Sequence, residues 1–245
     1  MGTLFNTGSA GFVVTAVLVL TVIGFVLARS RALASVSGDA RALHSLPNYY
    51  GYFAGMMVAV PALLVTALWM LIQPMLIQNA VIDLIPAASV AEGSSVNLVM
   101  SDVRRVADGL DVAVAQGTLS PQAATDLDAD QTDVRAMLAD VGVALGSDVA
   151  APVLAAAQKY RALTARGSGV MTVVVLALAA LGIVAALRYS TGTFRARNMV
   201  ERGGLVLLMV AAALAILTTV GIVLSMLFES LNFFRMHPWT DFFFG

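Results

Sequence analysis

Residues 203–228 read GGLVLLMVAAALAILTTVGIVLSMLF, a run without a charged side chain that decides what kind of protein this is. About 20 apolar residues are enough for a helix to cross the hydrocarbon core of a bilayer. Three further runs meet the same criterion, residues 8–28, 50–72 and 167–187. A backbone in lipid must satisfy its own hydrogen bonds, and a helix does so within a single segment. The sequence therefore predicts an all-α membrane protein with four transmembrane helices.

The composition agrees with a membrane protein and excludes several soluble classes. Hydrophobic residues make up 59% of the chain and charged residues 12%, whereas soluble domains carry about 25% charged residues. The net charge of −1 provides no field that recruits nucleic acid, and no such partner is expected. The chain contains no cysteine, which excludes disulfides, iron–sulfur clusters and thiolate chemistry. A cytosolic enzyme, a disordered chain and a nucleic-acid binder are excluded on these grounds.

Arginines in two short loops predict how the chain is oriented in the membrane. Residues 29–48 contain three arginines and residues 188–202 contain four, which places both loops in the cytoplasm by the positive-inside rule. The N-terminus and residues 73–166 then lie on the outer side. Three basic residues near the end of that outer segment oppose this assignment, but long loops follow the rule weakly. No Lys or Arg precedes the first span, which argues against a cleaved signal peptide.

Residues 73–166 form a water-facing segment of different composition, with 11 acidic and 6 basic residues. Apolar residues recur there at helical spacing in three stripes, and each stripe predicts one face of a helix. The stripes are Val96, Val99, Val103, Val106 and Leu110; Leu127, Val134, Leu138, Val141 and Leu145; and Val149, Val153, Ala157 and Tyr160. Ser120 followed by Pro121 predicts a helix start between the first two stripes. We expect a helical hairpin or three-helix module that packs within itself or against a partner chain.

The polar residues of the chain predict no metal site. The acidic run from Asp126 to Asp133 resembles a calcium loop at first sight. With Asp126 as position one, however, Gln131 stands where an EF-hand needs Gly and Met137 where it needs Glu. We interpret the run as a solvated face near a helix start. His44 has no ligand-spaced partner, so interfacial packing is the better interpretation.

The same negative result holds for catalysis. The four spans contain no Asp, Glu, Lys or Arg, the groups that proton relays and ion-coupled sites place inside membranes. The P-loop, HExxH and GxSxG motifs are absent, so the chain has neither its own nucleotide site nor a recognisable hydrolase site. We therefore expect a membrane scaffold that is not an enzyme and needs no cofactor. The sequence assigns no substrate-binding residue.

Two stretches of the chain resemble a known family. The first is Leu43-His44-Ser45-Leu46-Pro47-Asn48-Tyr49-Tyr50-Gly51, which precedes an apolar helix containing Pro61 and Trp69. The second comprises Arg195-Ala196-Arg197-Asn198 and Glu201, then the fourth span, then Phe228-Glu229-Ser230-Leu231-Asn232-Phe233-Phe234 and Trp239-Thr240-Asp241-Phe242-Phe243-Phe244-Gly245. In this order they resemble the N-terminal region of PstC, the permease subunit of phosphate ABC importers, in the form with an extended N-terminal domain.

The resemblance implies a bacterial inner-membrane protein that takes part in phosphate import. Its implied partners are a second permease subunit, a separate ABC ATPase and a periplasmic phosphate-binding protein, besides membrane lipid. The implied parts are residues 1–72, an N-terminal helix pair; 73–166, a periplasmic module; 167–202, the third transmembrane helix and a basic cytoplasmic loop; and 203–245, the first helix of the permease core with its outer aromatic segment. The family's core has further helices and a coupling loop, so we expect this chain to be an N-terminal part, either a fragment or half of a split gene.

Two other functions are compatible with the residues alone. A membrane sensor also places a helical input domain between two spans, but it needs a cytoplasmic output domain, and the inner loops here hold about 20 residues or fewer. An envelope scaffold without a transport role is compatible with the uncharged spans.

Overall fold

The computed structural model describes residues 10–84, 96–129, 132–145 and 148–236, and most of these residues are helical. Seven α-helices and one short 3₁₀ helix occur within these ranges, and no β-strand does. In chain order they are α1 (Ala10–Ala34), the 3₁₀ helix (Ala40–Ala42), α2 (Pro47–Ile82), α3 (Val96–Ala115), α4 (Pro121–Asp126), α5 (Val134–Asp140), α6 (Ala151–Tyr189) and α7 (Ala196–Met236). The predicted all-α class is confirmed.

The four predicted spans fall on four helices that are long and apolar enough to cross a membrane, α1, α2, α6 and α7. These helices are longer than a bilayer requires. The 39 residues of α6 span roughly 60 Å at 1.5 Å per residue, about twice the hydrocarbon thickness. Helix α2 continues through Pro61 and Pro74 to Ile82. Prolines inside membrane helices are tolerated where neighbouring groups satisfy the freed backbone carbonyls.

The chain divides into two compact units, and α1, α2 and α6 contribute residues to both. Unit 1 comprises Met1–Ile23 and Met57–Ala185, and unit 2 comprises Gly24–Met56 and Ala186–Gly245. Unit 1 contains two buried apolar clusters and unit 2 contains one smaller cluster among the residues that the structure describes.

Small apolar side chains pack α1, α2 and α6 against one another in unit 1. The buried members of this cluster are Val13, Val17, Val58, Ala62, Met171, Val175 and Ala179. Gly182 allows the closest approach, since a Cβ atom at this position would lie 2.5 Å from the backbone oxygen of Met57. Small residues at helix interfaces let backbones approach closely in lipid, where no hydrophobic force drives helices together.

A second core in unit 1 belongs to the module formed by residues 73–166. It combines α3 and α5 with the ends of the two long helices: Ile77 and Val81 come from α2 and Leu154 and Ala157 from α6. The first sequence stripe faces this core, because Val103, Val106 and Leu110 are buried. The third stripe also packs there, and its helix runs on into the third span as one continuous α6. The module is therefore built in part from the extended ends of membrane helices.

The second stripe does not lie on a single helix. Residues 127–145 cover α5 and flanking loops, and the short α4 precedes them. Val134 and Leu138 are buried, and Leu127, Val141 and Leu145 pack against the same core as partly buried side chains. The spacing correctly identified the core-facing residues, but it did not predict that loops interrupt the helix.

Local capping explains where these short helices begin and end. The Ser120 hydroxyl accepts a hydrogen bond from the backbone N–H of Ala123, with Pro121 in the first turn, as the sequence predicts. Asp133 caps α5 in the same way through the N–H of Ala136. Gly117 and Gly142 follow α3 and α5 with φ of +74° and +89°, the left-handed conformation that ends helices and that glycine adopts without strain.

Unit 2 contains the longest helix of the chain, α7, with 41 residues. Every residue from 205 to 235 is exposed, although most of these side chains are apolar. A helix that is apolar on all sides requires lipid or another protein around it. The predicted aromatic tail, residues 237–245, lies outside the described residues.

We expect Gly182→Ala to destabilise the packing of α6 on α2, because the new methyl group meets backbone rather than a flexible side chain. Overpacking of this kind costs about 1–3 kcal/mol. Gly169→Ala on the same helix is the matched control, since a Cβ atom there has no neighbour within 4 Å. Thermal unfolding in detergent measures both variants. An unfolding midpoint of Gly182→Ala equal to that of the control would contradict the close packing.

Candidate functional site

The two stretches that carry the family resemblance meet in unit 2, in what we call the loop junction (residues 43–50 with residues 192–198). Three hydrogen bonds join the two segments of the loop junction, and the bond between Arg197 and Ser45 connects the two motifs themselves. The backbone N–H of His44 donates to the carbonyl of Gly192 at 3.0 Å, and the N–H of Arg197 donates to the Ser45 hydroxyl at 3.3 Å. The Tyr50 hydroxyl donates to the carbonyl of Phe194 at 2.9 Å.

Aromatic packing surrounds the last of these bonds. Tyr50 is fully buried in a cluster with Ala32 and Ala196. The ring of Phe194 lies 4.9 Å from that of Phe53 and 6.4 Å from that of Tyr50, measured between centroids. Aromatic pairs at these separations stabilise a fold by more than the burial of their apolar surface alone. The loop junction is thus a packed structure with a polar anchor at its centre.

The arginines that predicted the orientation remain on the surface of unit 2. All seven are exposed: Arg29, Arg31, Arg41, Arg188, Arg195, Arg197 and Arg202. Arg197 forms an ion pair with Glu201 one helical turn later, at 2.6 Å. The loop junction consequently presents basic side chains outward while its motif tyrosine and serine hold the loops together.

The sequence indicates part of the loop junction. Ser45 and Tyr50 belong to the first motif and Arg197 to the second, but no sequence pattern predicts that the two motifs are in contact. Phe194 and Gly192 were missed, because an aromatic residue and a glycine in a loop give no signal of a long-range contact. His44 contributes its backbone, and its side chain is exposed.

A second polar arrangement lies in unit 1, where the module meets the membrane helices; we call it the module junction. The indole N–H of Trp69 donates to the Gln73 side-chain oxygen at 2.8 Å. The Gln73 amide donates to the carbonyl of Thr164 at 3.3 Å and so connects α2 to α6. Gly167 leaves room for this amide, since a Cβ atom there would lie 2.6 Å from the Gln73 nitrogen. The module junction lies at the ends of the second and third predicted spans.

The module also has a polar cleft that contains Arg104, Arg105 and Asp108. Arg104 donates to the Gln78 side-chain oxygen at 2.7 Å. Asp108 lies on the helix surface, yet partial desolvation raises the pKa of its carboxyl, the nearby Asp111 adds to this effect, and Arg104 opposes it. The cleft thus combines two arginines with one carboxylate, and Arg104 is already hydrogen-bonded to Gln78.

Among residues 10–84, 96–129, 132–145 and 148–236, no three His, Asp or Glu side chains are grouped closely enough to hold a metal ion. Within the acidic run, Asp133 caps a helix, which agrees with its interpretation as a helix start. Asp130 lies outside the described residues. An ion pair near the module core joins Arg161 of α6 to Asp111 of α3.

Comparison with known proteins gives one match. A family model described as a phosphate ATP-binding cassette transporter matches residues 14–185, more than two thirds of the 245 residues. The matched range covers three of the four membrane helices and the module, and it ends before the second half of the loop junction. No curated protein and no solved structure matches the chain.

We expect Tyr50→Phe to weaken the loop junction, because it removes a hydrogen bond and leaves the Phe194 carbonyl without this donor. Losses of this kind cost about 1–3 kcal/mol. Tyr52→Phe is the control, since Tyr52 is half-exposed and only two residues away. The measurement is thermal unfolding in detergent, combined with the rate of proteolysis in residues 188–202. Equal proteolysis of the two variants would show that the hydroxyl does not hold the loops.

Proposed function

The chain belongs to the phosphate ATP-binding cassette transporter family, and from this membership we propose that it is the N-terminal portion of the permease subunit of an importer for inorganic phosphate. The family match carries the proposal, because it spans both the membrane helices and the module. The four apolar helices support a permease role, since a subunit of this kind must lie in the bilayer.

The proposed role is that of a membrane scaffold with a periplasmic module. The spans carry no Asp, Glu, Lys or Arg, which favours structural helices over a conduction path. ATP hydrolysis is assigned to a separate ATPase, because the chain has no P-loop. A second permease subunit is proposed to cover part of α7, whose apolar side chains are exposed from 205 to 235. A periplasmic phosphate-binding protein is the proposed partner of the module.

The proposed location is the bacterial inner membrane, with the N-terminus and residues 73–166 in the periplasm. The exposed arginines of the loop junction support this orientation through the positive-inside rule. The net negative charge of the module is compatible with translocation across the membrane.

Phosphate uptake tests the function. In cells that lack the gene and grow at low external phosphate, we expect uptake of radiolabelled phosphate to fall and the wild-type gene to restore it. Replacement of residues 84–150 by a Gly/Ser linker removes α3, α4 and α5 and leaves α2 and α6 in place, and we expect it to raise the KM of uptake by weakening contact with the binding protein. Membrane abundance of the variant serves as the control. Unchanged uptake on deletion of the whole gene would refute the transport role and favour a sensor or an envelope scaffold.

Labelling of single cysteines tests the orientation without background, because the chain has no cysteine of its own. Gln116→Cys lies at the end of α3, and Thr193→Cys lies in the loop before α7; both positions are exposed. In cells with a permeable outer membrane, we expect a membrane-impermeant maleimide to label Gln116→Cys at once. Thr193→Cys should react only after the inner membrane is opened. The reverse pattern would overturn the orientation.

A further inference from the structure

A groove in unit 1 runs along α2 beside α6, and no part of the proposed transport role uses it. Its volume is about 500 Å³. Leu68, Ile72 and Leu76 line it at four-residue spacing, together with Trp69, Gln73 and Leu163. Its surface is almost entirely apolar, and Leu68, Ile72 and Leu76 are exposed to between 43% and 63%. Leu76 lies beyond the end of the predicted second span, and apolar surface exposed outside the hydrocarbon region marks a site of interaction.

The groove crosses the membrane boundary. The predicted second span ends at residue 72 and the third begins at residue 167, and Gln73 and Gly167 lie side by side. Leu68 therefore lies within the hydrocarbon region, whereas Leu76 lies one turn of helix beyond the boundary. The Trp69 N–H donates a hydrogen bond to Gln73, and the Trp69 ring lines the groove. This arrangement suits the interfacial position that Trp prefers.

Positive charge lies beside the groove, although the module as a whole is acidic. Three of the six basic residues in 73–166 lie in α6 just before the third span: Lys159, Arg161 and Arg166. Arg161 pairs with Asp111. Lys159 and Arg166 are exposed and form no ion pair within the part of the chain that the structure describes. They stand four residues before and three after Leu163, so they share its side of the helix.

We propose that this groove binds an anionic phospholipid from the leaflet on the module side. An acyl chain lies along Leu68, Ile72 and Leu76, and the phosphate group is held by Lys159 and Arg166. Basic pockets between membrane helices bind anionic head groups in this way. A phospholipid fits better than a helix of another protein, because it supplies both an apolar chain for the groove and a negative charge for Lys159 and Arg166.

Fluorescence of Trp69 reports on the occupant, because the chain has only two tryptophans. The full chain with Trp239→Phe is reconstituted in phosphatidylcholine vesicles that contain increasing fractions of dibrominated phosphatidylglycerol or, separately, dibrominated phosphatidylcholine. We expect half-maximal quenching by the brominated phosphatidylglycerol at a roughly tenfold lower mole fraction than by the brominated phosphatidylcholine. Equal quenching by the two lipids would show unselective contact with bulk lipid, and absence of quenching would show a groove filled by protein. Either result overturns the proposal.

Charge variants test the two cations separately from the apolar groove. The double variant Lys159→Gln/Arg166→Gln should lose the preference for phosphatidylglycerol and keep its quenching by phosphatidylcholine. Arg105→Gln is the matched control, an exposed arginine on α3, and it should keep the preference. High salt should reduce the preference in the wild-type chain. A double variant that keeps the wild-type preference would refute the role of the two residues, and circular dichroism establishes that each variant is folded.

Discussion

The structure depends on the requirement that a backbone in lipid forms all its hydrogen bonds within its own segment. This requirement makes each apolar run a helix, and a helix can continue past the membrane surface without exposing any new unpaired backbone group. Helices α2 and α6 do so, and their ends contribute Ile77, Val81 and Leu154 to the core of the module. These residues pack in the same buried cluster as Met100, Leu110 and Leu138, so the helix ends and the short helices share one core.

The shared helices also determine how the module is attached. A domain on a flexible linker moves freely, whereas this module is continuous with two membrane helices. The Gln73 hydrogen bonds to Trp69 and Thr164 join these helices where they leave the bilayer. A continuous helical attachment of this kind suits the proposed contact between the module and a binding protein. The proposed lipid site lies beside the same attachment.

The loop junction shows how one motif can serve structure and surface at once. Tyr50 and Ser45 face inward and fix the two loops through hydrogen bonds, while the arginines around them face water. Removal of a buried hydroxyl and removal of an exposed charge should therefore have different effects, the first on folding and the second on orientation or partner binding. The two motifs that resemble the family are thus in contact with each other in unit 2.

The sequence by itself determined the four spans, the family and most core-facing residues of the module. The spans and the core-facing residues follow from local properties: the length of an apolar run and helical spacing such as that of Val103, Val106 and Leu110. Only the tertiary structure decided that Tyr50 reaches Phe194, that Gln73 joins α2 to α6, and that α2 and α6 share a core with α3. These contacts join residues that are distant along the chain, and no local pattern encodes which of them meet. The sequence pattern also did not predict the break between α4 and α5. The stripe from Leu127 to Leu145 indicates which side chains face the core, but it does not indicate whether a single helix carries all of them.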